Sequence, residues 1–459
     1  MSSVEITRTV PDGLLTFDFH VSRAQRLASW QDGKRDAGCL SSPVAKSRPG
    51  PDPGGCRFAA ASVSNPRAVV VSRVAETALA TILDARGPNT ALATDERFTK
   101  QKDSSLKQMQ DVRQDVFAAR AGAEVSMWTR ILARYREPSR SRSVTELVIT
   151  VVPLVLLWIA MWATLDLGYW FCLLLAVPAA GLLVRLFMIQ HDCGHGAFFH
   201  HRLANDWVGR VIGVLTMTPY DSWRRTHAIH HATSGNLDRR GIGDIDTLTV
   251  REYLALSRWG RLRYRLYRHP IVMFGLGPAY LFLLQHRLPF GLTRAGWQPW
   301  LSTMATNAAI AAVGGTIIWF VGVGAFLQVH LPIMLLAASA GVWLFYVQHQ
   351  FEDTFWSEER GWNVRTAALY GSSHYELPGI LRWFTANIGV HHVHHLNSRI
   401  PFYRLPDVLR ENPELVAMGR LTLFQSLRCV RLVLWDEGKR RLISFHELAG
   451  RYGRGRNGG

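Results

Sequence analysis

Cysteine is scarce in this chain: five residues, at positions 39, 56, 172, 193 and 429, with no C-x-x-C pair. That spacing excludes a disulfide framework and a thiolate metal site. Charge is scarce as well. Asp, Glu, Lys and Arg make up 19 % of the 459 residues, below the roughly 25 % of soluble globular proteins. Five of the six lysines precede residue 108, so the net charge of +17 is carried almost entirely by arginine. Helix-turn-helix spacing, zinc-finger patterns and RNA-recognition signatures are all missing. A basic chain without them points to anionic lipid or an acidic protein partner and away from nucleic acid. There is no positively charged start followed by an apolar core, and no secretory signal is expected.

What the chain does have is apolar length. The segments 146–165 (ELVITVVPLVLLWIAMWATL) and 168–189 (GYWFCLLLAVPAAGLLVRLFMI) are separated by two residues, and a second pair follows at 304–326 and 329–348. About 20 apolar residues suffice to cross the hydrocarbon core as a helix. The pattern predicts an all-α integral membrane fold with four transmembrane helices in two hairpins. The apolar stretches 208–220 and 271–284 are too short to span and are expected to pack internally or at the interface. Arginine is rich before the first span (RYREPSRSR, 134–142), in the long middle segment and in the C-terminal part. The hairpin connections near Asp166 and Gln328 have none. By the positive-inside bias, both termini and the middle segment face the cytoplasm.

Three parts are expected. Residues 1–126 lack sustained periodicity, contain PGPDPGG and hold one of the 16 tryptophans. They read as a disordered extension or as residues upstream of a natural start at Met109 or Met127. Residues 127–435 form the membrane domain, and 436–459 a basic flexible tail.

Histidine is concentrated in three boxes: HDCGH at 191–195, HAIHH at 227–231 and HHVHH at 391–395. In the expected topology all three lie on the cytoplasmic side. Residues i, i+3 and i+4 share a helix face. His191 and His195 are i and i+4, and His227, His230 and His231 are i, i+3 and i+4. His391, His394 and His395 repeat that set, so each box is expected to aim its rings at a common point. With His349 at the end of the fourth span the total is nine, enough for two metals at four or five ligands each. With 18 histidines in 459 residues, an H-x-x-H-H match arises by chance roughly 0.03 times per chain. His20, His269, His286, His330 and His446 read as ordinary histidines, as do His200 and His201. His374 reads as structural. His392 falls off the shared face and reads as a surface residue or one behind the ligands.

Imidazole suits Zn, Cu, Fe and Ni. Nine of them exceed what zinc sites use, and zinc does no redox chemistry. Two irons beside a membrane suit O2 activation and attack on an unactivated C–H bond. Ring N–H groups facing away from metal need acceptors. Asp192, Asp221, Asp244, Asp246, Glu352, Asp353 and Asn387 lie close enough in sequence to supply them.

From about residue 146 to 405 the chain resembles the membrane fatty-acid desaturases, specifically the omega-6/delta-12 acyl-lipid branch. The resemblance is carried by QHDCGHGAFF, THAIHHATSGNLDRRGIGDIDTLT, FYVQHQFEDTFW and NIGVHHVHHLNSRIPFYRLP. It implies four spans capped by a cytosolic helical domain that holds a di-iron centre. It implies that His191, His195, His227, His230, His231, His391, His394 and His395 ligate iron, with His349 of QHQFED as a further ligand. The implied reaction removes two hydrogens from an acyl chain, linked to lipid, CoA or carrier protein, with O2 and two electrons from a ferredoxin-type carrier, in a bacterial inner membrane. Trp223, Tyr220 and Phe198 are candidate walls of an acyl tunnel. No HPGG segment is present, and no fused cytochrome domain is expected. A related di-iron hydroxylase or ketolase would use the same boxes. A metal transporter would need ionisable residues along the spans, where essentially only Arg185 occurs.

Overall fold

The computed structural model describes residues 121–453, with side chains to 450. Most of the expected extension lies outside the described residues. Residues 121–132 are helical, with Ala121, Val125, Trp128 and Leu132 buried, so the boundary expected at 126 falls inside a helix.

Helix α1 (Arg140–Ala163) starts at Ser139, whose hydroxyl accepts the Arg142 N–H at 3.4 Å. It turns into α2 (Tyr169–Gly194) through Gly168, whose φ of 137° only glycine adopts readily. Helix α2 is the hub: it packs against α1 and against α7 (Trp297–His349), and it buries Ala176, Ala179, Ala180, Leu182 and Leu183. The small alanines let neighbouring helices approach closely, as lipid-embedded packing requires.

Among the described residues three helices, α1, α2 and α7, are long and apolar enough to cross a membrane. Their outer faces carry Trp170, Trp319 and Phe320 at 83 %, 85 % and 79 % exposure. Each such side chain left in water forgoes roughly 1.5–3 kcal/mol of burial, a loss that lipid removes. Helix α7 corresponds to the two expected spans at 304–326 and 329–348, broken at Gly322 (φ 80°, ψ 157°). The expected break near Gln328 is corrected: Gln328 is helical, and the interruption falls where a residue without Cβ tolerates that conformation. The Gln328 carbonyl accepts the Tyr169 hydroxyl at 3.3 Å, so it sits beside the turn between α1 and α2, at the opposite end of α2 from His191.

Between α2 and α7 lie α3 (Arg202–Leu215), α4 (Tyr220–Thr233), α5 (Arg258–Tyr267) and α6 (Gly277–Leu283). Residues 208–220 and 271–284 thus form short elements, the latter entering α6 through a π-turn at Val272–Leu276; Ile212 and Met273 are buried, while Val211, Ile271, Leu276 and Leu284 stay exposed. After α7 come α8 (Val364–Tyr370) and α9 (His391–Leu396).

The all-α expectation needs one correction. Among the described residues five short strands occur: β1 (Leu248–Thr249), β2 (His374–Glu376), β3 (Arg420–Thr422), β4 (Leu434–Asp436) and β5 (Arg441–Ile443). β1 pairs parallel with β4, β4 antiparallel with β5, and β2 parallel with β3. The tail boundary expected at 436 falls inside the β4–β5 hairpin. Leu442 and Ile443 are fully buried there, and a helix, Phe445–Gly453, follows. The apolar LIS segment between the basic residues supplies the buried side chains that fix it.

Candidate metal centre

Four elements bring the boxes together. The end of α2 carries His191 and His195, α4 carries His227, His230 and His231, the end of α7 carries His349, and α9 carries His391, His394 and His395. All nine expected histidines converge, in two groups. One holds His191, His195, His227, His231 and His394, the other His230, His349, His391 and His395; within each, the ring nitrogens lie within 4.8 Å of one another.

The expectation that each box aims at one point is corrected. Both H-x-x-H-H boxes are split. In α4, residues i and i+4 serve the first group and i+3 the second; in α9, i and i+4 serve the second and i+3 the first. Helix geometry explains it: i+4 is rotated about 40° one way from i and i+3 about 60° the other, so these two rings diverge by about 100°. Two facing helices with this pattern build two adjacent sites.

The donor arrangement fits a metal. His227 Nε2 stands 3.0 Å from His195 Nε2 and 3.1 Å from His231 Nε2, and His231 Nε2 is 3.2 Å from His394 Nε2. In the second group, His349 Nε2 stands 3.1 Å from the Nε2 atoms of both His230 and His391. An imidazole nitrogen offers one proton or one lone pair, so a nitrogen facing two others cannot hydrogen-bond both. Donors about 2.1 Å from a common cation at right angles would be about 3.0 Å apart. His395 has no hydrogen-bond partner on either buried ring nitrogen, the signature of a ring whose partner is not protein.

The electrostatics agree. Burial and neighbouring imidazoles hold His227, His231, His391, His394 and His395 well below the usual imidazole range. In these five that favours the neutral ring, which keeps a lone pair for a metal. The outward nitrogens set the tautomer. His230 Nδ1 donates to the Asp244 carboxylate at 2.5 Å, and His349 Nδ1 donates to the Gly371 carbonyl at 3.3 Å. Asp192 lies 3.5 Å from His191 Nδ1, its other oxygen accepting the Phe402 N–H at 2.7 Å.

Of the seven expected acceptors, Asp244 therefore accepts from a box histidine, whereas Asp192 lies near His191 Nδ1 without hydrogen-bonding it. Asp221 pairs instead with Arg210 and Arg224. Asp246 takes part in the Tyr267 and Arg268 contacts through its backbone, Glu352 and Asp353 are exposed, and Asn387 donates to the Phe402 carbonyl. The Gly371 carbonyl was not anticipated; a backbone acceptor leaves no mark in sequence. His392 is fully buried, not a surface residue, and its Nε2 donates to the Leu415 carbonyl at 3.0 Å. His374 bonds the adjacent Val416 carbonyl at 2.7 Å, a structural part as expected. His200, His201, His269, His286, His330 and His446 join neither group; His20 lies outside the described residues.

A cavity of about 400 Å³ runs beside both groups. Apolar side chains such as Phe187, Met273 and Phe345 line most of it, and it touches His191 and His227 of the first group, His391 of the second, and Asp244. Trp223 forms part of the wall and stacks on His227 at 4.7 Å. Tyr220 and Phe198 do not line it. Tyr220 is buried with its hydroxyl on the Cys193 carbonyl, and Phe198 packs against Phe402.

Arg185 offers no ion path. It is buried in an ion pair with Glu146, it donates to Thr150 Oγ1 at 3.1 Å, and its guanidinium lies 4.2 Å over the Trp383 ring.

The sequence model for "Fatty acid desaturase" matches residues 167–426, from the start of α2 to beyond α9. The chain belongs to the fatty acid desaturase family. It is 43 % identical over 320 residues to a fatty acid desaturase of Bacillus subtilis, which covers 70 % of this chain and 90 % of that one. A Synechocystis sn-1 acyl-lipid omega-3 desaturase (ferredoxin) is 30 % identical over 59 % of this chain and 74 % of its own length. An sn-1 oleoyl-lipid 12-desaturase of Anabaena variabilis is 26 % identical over 59 % of this chain and 75 % of its own. This desaturase is an oxidoreductase. Its nine histidines and apolar cavity lie together within or just beside the matched region.

Proposed function

We propose that the two histidine groups each hold one iron and that the enzyme introduces a cis double bond into a lipid-linked acyl chain at the delta-12 (omega-6) position. The observation that carries this reading is the convergence of nine imidazoles, in sets of five and four, beside an apolar cavity that His191, His227 and His391 line. Bound there, iron would supply the O2-derived oxidising power needed to break an unactivated C–H bond. The balance is –CH2–CH2– plus O2, two electrons and two protons giving –CH=CH– and two waters. The chain's own residues do the positioning. Phe187, Trp223 and Phe345 exclude water and hold methylenes against the histidine rings, because position alone distinguishes near-identical carbons. Asp244 and the Gly371 carbonyl keep Nδ1 protonated on His230 and His349, leaving Nε2 free.

Desaturation rather than hydroxylation is supported by the 43 % identical relative, named a fatty acid desaturase. The relatives whose names give a position are more distant and name two, 12 and omega-3. A ferredoxin-type donor is supported by the printed name of the Synechocystis relative.

Four spans in a bacterial inner membrane, with both termini and the histidines cytoplasmic, complete the proposal. The arms of α7 before and after Gly322 each exceed the roughly 20 residues a crossing needs, and the Arg distribution favours this orientation. The test is expression in a host that makes only saturated and monounsaturated lipid, with gas chromatography–mass spectrometry locating the new bond. A delta-12 diene absent from the His230→Ala control is expected. A hydroxylated product would overturn the reaction, and a bond elsewhere the position.

A further inference from the structure

Helix α5 has a construction that the proposed reaction does not use. Its inner face is pinned. The Tyr264 hydroxyl donates to the Val433 carbonyl at 2.6 Å. Just past its end, Arg268 donates to the Tyr346 hydroxyl at 3.0 Å and to Gln350 Oε1 at 3.1 Å. Tyr346 and Gln350 flank His349, so α5 sits level with the histidine-bearing end of α7.

Its outer face is an exposed apolar ridge: Trp259 at 79 %, Leu262 at 45 % and Leu266 at 54 %, continued by Ile271 at 68 %. At about 100° per residue the three helical members fall within about 60° of arc, and Arg258 and Arg263 lie about 40° beyond either edge. Two other arginines of the helix are engaged within the protein: Arg261 Nε donates to the Leu256 carbonyl, and Arg265 Nε to the Tyr253 hydroxyl. Arg258 and Arg263 are exposed and make no ion pair among the described residues. No acidic residue occurs anywhere between Glu252 and Glu352.

We infer that α5 lies in the plane of the membrane surface and binds anionic phospholipid, with Trp259, Leu262 and Leu266 among the upper acyl carbons and Arg258 and Arg263 on the headgroup phosphates. The inference rests on reading the end of α7 as the end of a span. An apolar ridge bracketed by guanidiniums is the pattern of an interfacial helix, and tryptophan favours that depth. An acidic protein would match the charges but would leave the ridge without an apolar partner. Tyr267, the last residue of α5, lines the cavity, so lipid held here abuts the cavity wall.

The test uses the purified full-length, iron-loaded protein in nanodiscs of mixed phosphatidylcholine and phosphatidylglycerol, with native mass spectrometry counting retained lipids of each class. The wild type is expected to retain phosphatidylglycerol preferentially. R258Q/R263Q is expected to reduce that preference about tenfold or more, since each surface cation is worth about fivefold, while R258K/R263K keeps most of it and iron content stays constant in both. An unchanged preference in R258Q/R263Q overturns the inference. So does loss of affinity for an acidic ferredoxin with lipid preference intact, which would make α5 the donor's docking site. Lipid counts do not depend on the product formed, so failure of the proposed reaction would leave this result readable.

Discussion

The Nδ1–H of His230 donates a hydrogen bond to the Asp244 carboxylate at 2.5 Å, while its Nε2 points at His349 Nε2 from 3.1 Å. One ring thus links a fixed carboxylate to the four-histidine group. Losing such an outer partner costs about 10–100-fold in metal affinity. Asp244→Asn is therefore expected to weaken iron retention in the second group while the five-histidine group holds. Iron content after graded chelation, followed by Mössbauer spectroscopy, reads this directly: one of two iron signals should fall first. Parallel loss of both would show that Asp244 does not act through His230.

Glu146 and Arg185 tie α1 to α2 at a buried point that also holds the Trp383 carbonyl. Removing one partner of a buried pair costs about 3–5 kcal/mol, because the other charge is stranded. Glu146→Leu should sharply lower the thermal stability of the detergent-solubilised protein, and Glu146→Leu with Arg185→Met should recover much of it. A single variant as stable as wild type would contradict the packing described.

His392 is buried, and burial together with neighbouring His374 lowers its pKa to about 3, against about 6.5 for an unfolded histidine. Below 6.5 the unfolded chain takes up a proton that the folded chain refuses. Stability contributed at neutral pH is therefore lost as pH falls from about 6.5 toward 3, by roughly 1.4 kcal/mol per unit. His392→Gln, which can still donate to the Leu415 carbonyl, should flatten this limb in melts between pH 7 and pH 5 relative to wild type. Identical pH slopes would remove His392 from the account.

Gly322 holds φ 80° and ψ 157° between the two arms of α7. A side chain there costs roughly 1–3 kcal/mol. Gly322→Val should lower the yield of folded protein far more than Gly324→Val, since Gly324 sits in ordinary helix. Equal yields would argue against a break at 322.

The convergence of all nine histidines is legible in the sequence: H-x-x-H-H spacing marks six, i and i+4 spacing marks His191 and His195, and the end of an apolar span within QHQFED marks His349. Their division between two groups is not. Spacing states how rings diverge from one axis, while the sites depend on how α4 and α9 face each other. The break at Gly322 rather than near Gln328 was obscured by continuous apolar composition, and only backbone conformation distinguishes the two. Tyr220 and Phe198 stand close to the boxes in sequence, which suggests cavity walls, yet both serve the core. The Arg441–Ile443 strand was hidden in a basic stretch, where three residues are too few to show alternation.

The most direct test of the central claim is iron stoichiometry in the purified, active enzyme, measured by inductively coupled plasma mass spectrometry beside single variants from each group. Two irons per chain are expected in the wild type, with His394→Ala depleting the five-histidine site and His395→Ala the four-histidine site. Active protein containing no iron, or retaining two irons after both substitutions, would contradict it.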